Sequence, residues 1–561
     1  MLTIETWLNG IGLTPPIEEC PAWPPDLFAI TGTLIRRSGA YLRVFKQRDP
    51  VTHVRGIVEV AQRWRQDIDN ITAADVNPED LQKLRAPEVV SGWASLIAAK
   101  GRPLSAIDDD PGLADQLIRL TLIADEASRG IGITADNPTK PLPLPSKFLS
   151  LADLALVENE LRSFCWDVPP EALCVLGKQH TPVKGATFRS LSHHLALYYP
   201  GEIEARWFTA IPTQLDPDPP PRGLNLLLLP WPTRVETQDF EEVPFVGKRA
   251  DESPPPGYFR YYPKEVDDPT TFERKVKAAL DKAGQHGGPI DALIFPELAL
   301  NKLQYKVAER LAFEARCILI CGVRPDGPTE GVWDSNECVL QTAGAVRGNA
   351  AVGADEKEDL LSDLRLKQAK HHRWYLDRDQ IVAYQLAGGL PVSRGAWEHI
   401  DLPERLLHFV TLNPITWAVL ICEDLARQEP AAELIRAVGP NLLIALLMDG
   451  PQLTNRWPAR YAAVLAEDPG TSVLTLTSLG MAERSRPIIQ SGLRATASRV
   501  IALWRDAIEG EIQIALDPEH DACVLSLEYQ KRTEYCADGR SDHGQTWYPV
   551  YAGYRSFKTG V

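Results

Sequence analysis

Six short, almost continuous apolar runs constrain this chain more than anything else in it. They are LNLLLLPWP (224–232), DALIFPE (291–297), CILICGV (317–323), WAVLICED (417–424), NLLIALLMD (441–449) and SVLTLTSLG (472–480). Each is too short for a helix of ordinary length, rich in Leu, Ile and Val, and closed by Pro, Gly or an acid, so each reads as a strand buried on both faces. Between them lie amphipathic stretches, TTFERKVKAALDKAGQ (270–285), a segment over about 302–316, AAELIRAVG (431–439) and ARYAAVLAE (459–467). Strand and helix therefore alternate, and the expected class is α/β with largely buried sheets. The end of the chain, RVIALWRDAIEGEIQIALD and ACVLSLEYQ, reads as strands joined by a Gly turn.

The first part of the chain is different. VRGIVEVAQRWRQDI (54–68), VSGWASLIAAK (90–100), LADQLIRLTLIADEA (113–127) and SLADLALVENELRSF (150–164) carry the 3.6-residue period of helices, the last opening on a capping Ser150. Residues 1–50 mix Pro-rich turns with short apolar runs and show no clear period. His193 and His194 fall on an expected helix, as packing or solvated residues, and IDDDP (107–111) reads as a helix-capping loop. TQLDPDPPPRG (213–223) forbids helix and disfavours sheet interior. The expected organisation is thus an α-rich accessory domain over 1–212, a linker over 213–223 and a second domain over 224–561.

Composition narrows the function classes. The 561 residues are 44% apolar and 24% charged, enough to bury a large core, and the formal net charge is −16. That charge argues against direct nucleic-acid binding or an anionic-membrane surface, which need concentrated Lys and Arg. No apolar stretch reaches the length of a membrane span. The nine cysteines are scattered and follow no secretory signal, so a cytoplasmic chain with reduced thiols is expected. Cys317 and Cys321 read as buried core thiols, not metal ligands. No phosphate-binding G-x-x-x-x-G-K-[ST] and no G-x-S-x-G elbow occurs.

Three residues close expected strands or lie in a basic turn: Glu297 after DALIFP, Lys370 in RLKQAKHHRWYL, and Cys422 after TWAVLI. Strand C-termini are where α/β enzymes present reactive groups. A Cys on a strand-to-helix turn meets backbone N–H groups, which lower its pKa and can hold an oxyanion. A carboxylate in a dry pocket can take the thiol proton, and an ammonium can stabilise a tetrahedral anion. Each residue alone has a plainer reading. Cys422 could be a small buried hydrophobe, Glu297 a carboxylate at a helix start, and Lys370 part of a solvated basic face. His371 and His372 read as surface or supporting residues.

Taken together, IFPE (Glu297), KHH (Lys370, with His372 two residues on) and LICEDLA (Cys422) resemble the Glu-Lys-Cys triad of the nitrilase, or carbon–nitrogen hydrolase, superfamily. NECVL (336–340) and the helices and strands after Cys422 follow in the family's order, and the resemblance covers about 222–530. It implies a four-layer α-β-β-α sandwich that pairs with a second copy through an outer helical layer. It also implies hydrolysis of a non-peptide carbon–nitrogen bond in a small-molecule amide or nitrile, with no metal or cofactor. The ICED sequence favours the amide. Cys422 would be the nucleophile, Glu297 the base, and Lys370 with the Glu423 N–H the oxyanion site, with Asp424 supporting the turn. Asp449 and Gly450 would line the substrate pocket, with Arg460 and Tyr461 reaching it from the next helix.

The sequence departs from the pattern in places. The family's second Glu, about eight residues after the Lys, is replaced by Arg378, leaving Asp377 or Asp379 as substitutes. Lys367 competes with Lys370, and the charged segment GADEKEDLLSDLRLKQ (353–368) suggests a lid or partner site. Three outcomes stay open: an amidohydrolase, a nitrilase-like scaffold or sensor without turnover, and a glutaminase feeding ammonia to a partner. KGATFRSLSHHLALYYPGEIEARW (184–207) resembles the region preceding nitrilase-like domains in bacterial reverse-transcriptase defence proteins. That resemblance implies a phage-defence component with a protein partner on the N-terminal domain.

Overall fold

The computed structural model describes residues 2–13, 16–46, 50–72, 85–131, 161–182, 184–210, 222–243, 256–263, 268–342, 365–412, 414–488 and 492–560. The apolar runs form two seven-stranded sheets. The first runs, edge to edge, through Arg365–Ala369, Glu337–Gln341, Ile318–Val323, Ala292–Ile294, Leu224–Leu228, Ala522–Arg532 and Thr546–Phe557. The second runs through Gly510–Ala515, Val500–Asp506, Ser472–Thr477, Leu442–Leu447, Ile415–Ile421, Leu406–Leu412 and Glu204–Ala210. Each has parallel strands at its centre flanked by antiparallel pairs, and in the second sheet the edge strand Glu204–Ala210 runs parallel to Leu406–Leu412.

The continuous apolar runs have a direct cause. In the first sheet Leu226, Leu228, Ala292, Ile294 and Ile320 face the second sheet and share its core. Their neighbours Leu227, Leu293, Phe295, Leu319 and Cys321 point the other way, onto Phe272, Val276, Ala308 and Leu311 of the helices Pro269–Gly287 and Lys302–Glu314. With both faces buried, neither register position can be polar. Both helices start on side-chain caps: Asp268 accepts from Thr270 and Thr271, and Asn301 forms a capping box with Gln304. The helix Trp457–Glu467 packs on the far side of the second sheet. Helix, sheet, sheet and helix are thus stacked in the four-layer order expected.

A smaller sheet, in the order Tyr375–Leu376, Ala396–Glu398, Gly257–Tyr261 and Phe240–Val243, lies over the strand ends that carry Glu297 and Met448. Phe240, Phe259, Trp374 and Tyr384 from it and its connections pack with Leu298, Met448 and Met481.

The N-terminal part holds the expected helices, Pro50–Thr72, Pro87–Ala98 and Pro111–Ala127, together with Pro24–Ser38. Ile57, Val60, Ala61, Trp64 and Ile68 are buried along one stripe, and Asp110 of IDDDP caps the helix that follows. Of the stretch 150–164, residues 150–160 lie outside the described residues, and 161–164 are not helical. Two further expectations are corrected here. His193 and His194 are not helical; they precede the strand Leu195–Tyr198, which pairs with Cys174–Gly177. Nor does the 213–223 segment separate the domains cleanly. The strand before it, Glu204–Ala210, joins the second sheet beside Leu406–Leu412, where Trp207 and Phe208 are buried, and Trp207 also meets Phe164 of the N-terminal part at 5.6 Å. Trp207 stacks on Phe409 at 6.0 Å.

The two ends of the chain are also locked together. Arg540, fully buried, donates to Asp125 (3.0 Å), Glu126 (3.3 Å) and Asp538 (2.8 Å). Asp125 also accepts the N–H groups of His193, His194 and Leu195. Nearby, Arg189 bonds Asp468 (2.8 Å) and the Arg436 carbonyl, and the Gln179 N–H donates to Val438 (2.9 Å). The outer side of the helix Glu433–Val438 is therefore occupied by this chain's own residues 179–198. Arg540→Met removes the guanidinium from the buried Asp125 and Asp538, leaves Glu126 with Arg129, and is expected to cost about 3–5 kcal/mol. An unfolding midpoint in denaturant equal to that of the parent would contradict it.

Candidate active site

Glu297, Lys370 and Cys422 come together at the ends of three strand-led segments, all buried, with relative exposures of 3%, 1% and 2%. Glu297 follows the strand Ala292–Ile294, where Leu298 turns the chain at φ 51°. Gly322 of the next strand makes room for that turn. A Cβ there would meet Pro296 O and Leu298 N at 2.5 Å and the Glu297 Cα at 2.6 Å, so only glycine lets the strands approach. Cys422 ends the strand Ile415–Ile421 at φ 44°, ψ −104°, immediately before the short helix Glu423–Ala426. A non-glycine residue held at such angles is strained, a feature of nucleophiles on strand-to-helix turns. Its N–H donates to Leu446 O (2.8 Å), pinning it to the neighbouring strand.

Lys370 Nζ lies between two carboxylates, 2.7 Å from Glu297 Oε1 and 2.6 Å from Glu398 Oε2. The Asn336 amide donates to both acids at 2.8 Å, and Trp374 N–H donates to Glu398 Oε2 (3.1 Å). Glu297 Oε2 is buried and has no hydrogen-bond partner among the described residues. Asp424 ties the lysine turn to the cysteine turn: it accepts the His371 N–H (3.0 and 3.1 Å) and faces His372 Nδ1 at 3.1 Å.

Charge follows from this packing. Burial raises the Glu297 pKa and the Glu398 charge adds to that, against the pull of Lys370. Burial alone would depress the ammonium, but Glu297 and Glu398 together hold Lys370 well above its ordinary value. Burial, then the Glu297 charge, pushes the Cys422 thiol well up, while Lys370 and the Met448 N–H pull it down. The helix-terminus effect expected to lower the thiol pKa is thus outweighed: the helix has four residues and opens on two acids, Glu423 and Asp424. All nine cysteines are buried and unbridged. What distinguishes Cys422 is its neighbours.

Other expected site residues divide. Lys367 is exposed on the strand Arg365–Ala369, pointing away from the acids that hold Lys370. Asp377 and Asp379 do not fill the second acid's place. Asp377 caps the helix Arg378–Ala383 by accepting from Gln380, Asp379 lies in its first turn, and both are exposed. Glu398 fills it, reached by a longer connection than a fixed spacing would suggest. Glu423 pairs with Arg427 through its side chain, and its N–H opens the helix. Asp449 is buried and accepts from the Tyr384 hydroxyl and from Arg456 Nη2 (2.7 Å). Arg460 is exposed on the helix Trp457–Glu467 and Tyr461 packs edge-on against Trp457, so neither joins that cluster. Arg456, one turn earlier, takes the place expected of Arg460. The charged segment is outside the described residues up to 364. Among the described residues, no group of three or more His, Cys, Asp or Glu is arranged to hold a metal, and no helix is long and apolar enough to cross a membrane.

Neither a family model nor a curated protein matches this chain. Among solved structures it is similar to an amidase from Nesterenkonia sp., with 12% identity, 55% of this chain and 91% of the other covered, and a TM-score of 0.31. A variant of that amidase carries the acetamide moiety of fluoroacetamide covalently on its active site cysteine; identity is 12%, coverage 55% and 92%, and TM-score 0.32. XC1258 from Xanthomonas campestris, a CN-hydrolase superfamily protein with an arsenic adduct in its active site, matches with 12% identity, 55% and 91% coverage and a TM-score of 0.30.

Glu398→Leu leaves the buried ammonium with one carboxylate and is expected to cost about 3 kcal/mol or more. Asp379→Ala, on the exposed helix, should stay within about 0.5 kcal/mol. Equal unfolding midpoints for the two variants would show that Glu398 is not the second counter-ion.

Proposed function

We propose that this protein is a cysteine-dependent hydrolase of a non-peptide carbon–nitrogen bond, acting on an amide in preference to a nitrile. The observation that carries the reading is the pairing of a buried, partnerless Glu297 Oε2 with a thiol that is under the charges of both Glu297 and Lys370. An oxygen with a raised proton affinity and no other partner is suited to take the thiol proton as the sulfur attacks. Cys422 Sγ bonds to the amide carbon, and Glu297 receives the proton. The oxyanion is met by Lys370 and the Glu423 N–H. Collapse breaks the C–N bond, and Glu297 returns its proton to the departing ammonia or amine. Water then gives Glu297 a proton while attacking the thioester, and the carboxylic product leaves as the thiol is restored. Glu398, Asn336 and Asp424 are positioning residues: they hold the ammonium and the two turns in register.

Near-complete burial of all three groups favours a second reading, a nitrilase-like scaffold or sensor without turnover. On it the chain would serve a reverse-transcriptase-linked defence system, as the resemblance over 184–207 implies, with its partner on the N-terminal part. Self-pairing across the outer helical layer would have to avoid Glu433–Val438, already covered by the chain itself. The helix Trp457–Glu467, with Val464 half exposed, is the face left for a second copy.

Cys422→Ala and Glu297→Gln should each reduce amide hydrolysis by about a thousandfold or more with the fold retained, and iodoacetamide should modify Cys422 ahead of the other eight thiols. Because Glu297 must be ionised to act and its pKa is raised, kcat/KM should fall with decreasing pH at a value above the ordinary carboxylate range. Unchanged turnover in either variant would sink the reading. Absence of both turnover and selective labelling in the parent protein would favour the scaffold.

A further inference from the structure

Beside the triad lies a second set of buried polar atoms that the reaction does not use. Met448 offers its N–H to the Cys422 thiol, and Asp449 is the next residue along. Asp449 is 2% exposed; its Oδ1 accepts from Tyr384 and Arg456, while its Oδ2 is buried without a partner. Arg456 Nε and Ser485 Oγ are likewise buried and unpartnered. Ser485 and Arg456 both close on Gly450, the residue after Asp449, where a Cβ would meet Ser485 Oγ at 2.5 Å and Arg456 Nη2 at 3.1 Å. The cluster is continuous with the lysine's own support. Tyr384 packs edge-on against Trp374 at 5.9 Å, and the Trp374 N–H donates to Glu398.

A buried polar atom without a partner is costly, and several around one glycine beside a reactive thiol are the lining of a recognition subsite. An ionised carboxylate is acceptor-only, so what meets Asp449 Oδ2 must donate. We propose that Asp449, Arg456 and Ser485 read the far end of the substrate, and that the substrate is an amide whose other end carries an N–H donor, an ammonium or a second carboxamide. This rests on the hydrolase reading above and adds a substrate class to it. A methyl group of the same size would leave Asp449 Oδ2 and its neighbours unpaired, the situation in which polar sites discriminate most strongly.

The test is binding to the Cys422→Ala protein by titration calorimetry, using size-matched pairs. These are 3-aminopropanamide against butanamide, 5-aminopentanamide against hexanamide, and glutaramide against 5-methylhexanamide. In at least one pair the donor-ended member should bind about tenfold or more tightly, and the pair identifies ammonium or carboxamide as the preferred group. Adding Asp449→Asn should shrink that preference several-fold. Ser485→Ala serves as the second variant should Asp449→Asn fail to fold, and is expected to weaken the same member. Equal binding within every pair, no binding of any of the six, or a preference indifferent to the folded variants would overturn the proposal. Donor-selective binding by a parent protein that hydrolyses none of these amides would sink the hydrolase reading and leave the subsite standing.

Discussion

The site is organised by one ammonium. Lys370, 1% exposed, would be intolerable in this interior without Glu297 and Glu398 on either side of it. Burial, with the Glu398 charge adding to it against the pull of Lys370, raises the proton affinity of Glu297; burial, then the Glu297 charge, raises that of the neighbouring thiol; and the Asn336 amide serves both acids as a shared donor. The thiol therefore need not exist as a stable thiolate. On the proposed hydrolase reading, proton transfer and attack would be simultaneous, and the negative charge would then move to an oxygen that the same ammonium faces.

Such a cluster works only if three turns from different parts of the chain are held in one geometry. The structure uses short backbone contacts for this. Gly322 lets two strands touch at the Glu297 turn, the Cys422 N–H is bound to Leu446, and Asp424 bonds the backbone of the residue after Lys370. The strained backbone at Cys422 is retained because the strand before it is buried on every residue.

The legible parts of the sequence were those where chemistry and period coincide. The doubly buried strands read directly from their apolar runs, since both registers are buried and the polar residues of Ser472–Thr477, namely Ser472, Thr475 and Thr477, are small hydroxyls. Glu297 and Cys422 are legible because each closes such a run, and Lys370 because it leads the KHH of a basic stretch between them. Glu398 is not. It sits on the three-residue strand Ala396–Glu398, where alternation puts Ala396 and Glu398 inward and Trp397 outward, too brief a pattern to mark an acid as buried. Asn336 opened a segment noted for its order, NECVL, with nothing to separate a network donor from a turn residue. Arg456 was passed over for Arg460 because helix phase cannot be fixed from the cap alone; the cap residue itself turns in toward Asp449. The N-terminal boundary failed for a related reason. Proline content marks where a chain leaves an element, and says nothing about which sheet that element belongs to.

The lock at Arg540 has a consequence for how the protein is made. Asp125 lies in a helix near the start of the chain, and its buried counter-charge is encoded 415 residues later. During synthesis the N-terminal helices can form and collapse, and Glu126 has Arg129 beside it, but Asp125 lacks its Arg540 partner until the chain has grown 415 residues further. The early part is thus kept short of its final packing while the sheets assemble, and Glu204–Ala210 waits for a partner strand some two hundred residues further on. An N-terminal fragment ending before Leu406 would lack both the Arg540 partner of Asp125 and the strand that pairs with Glu204–Ala210.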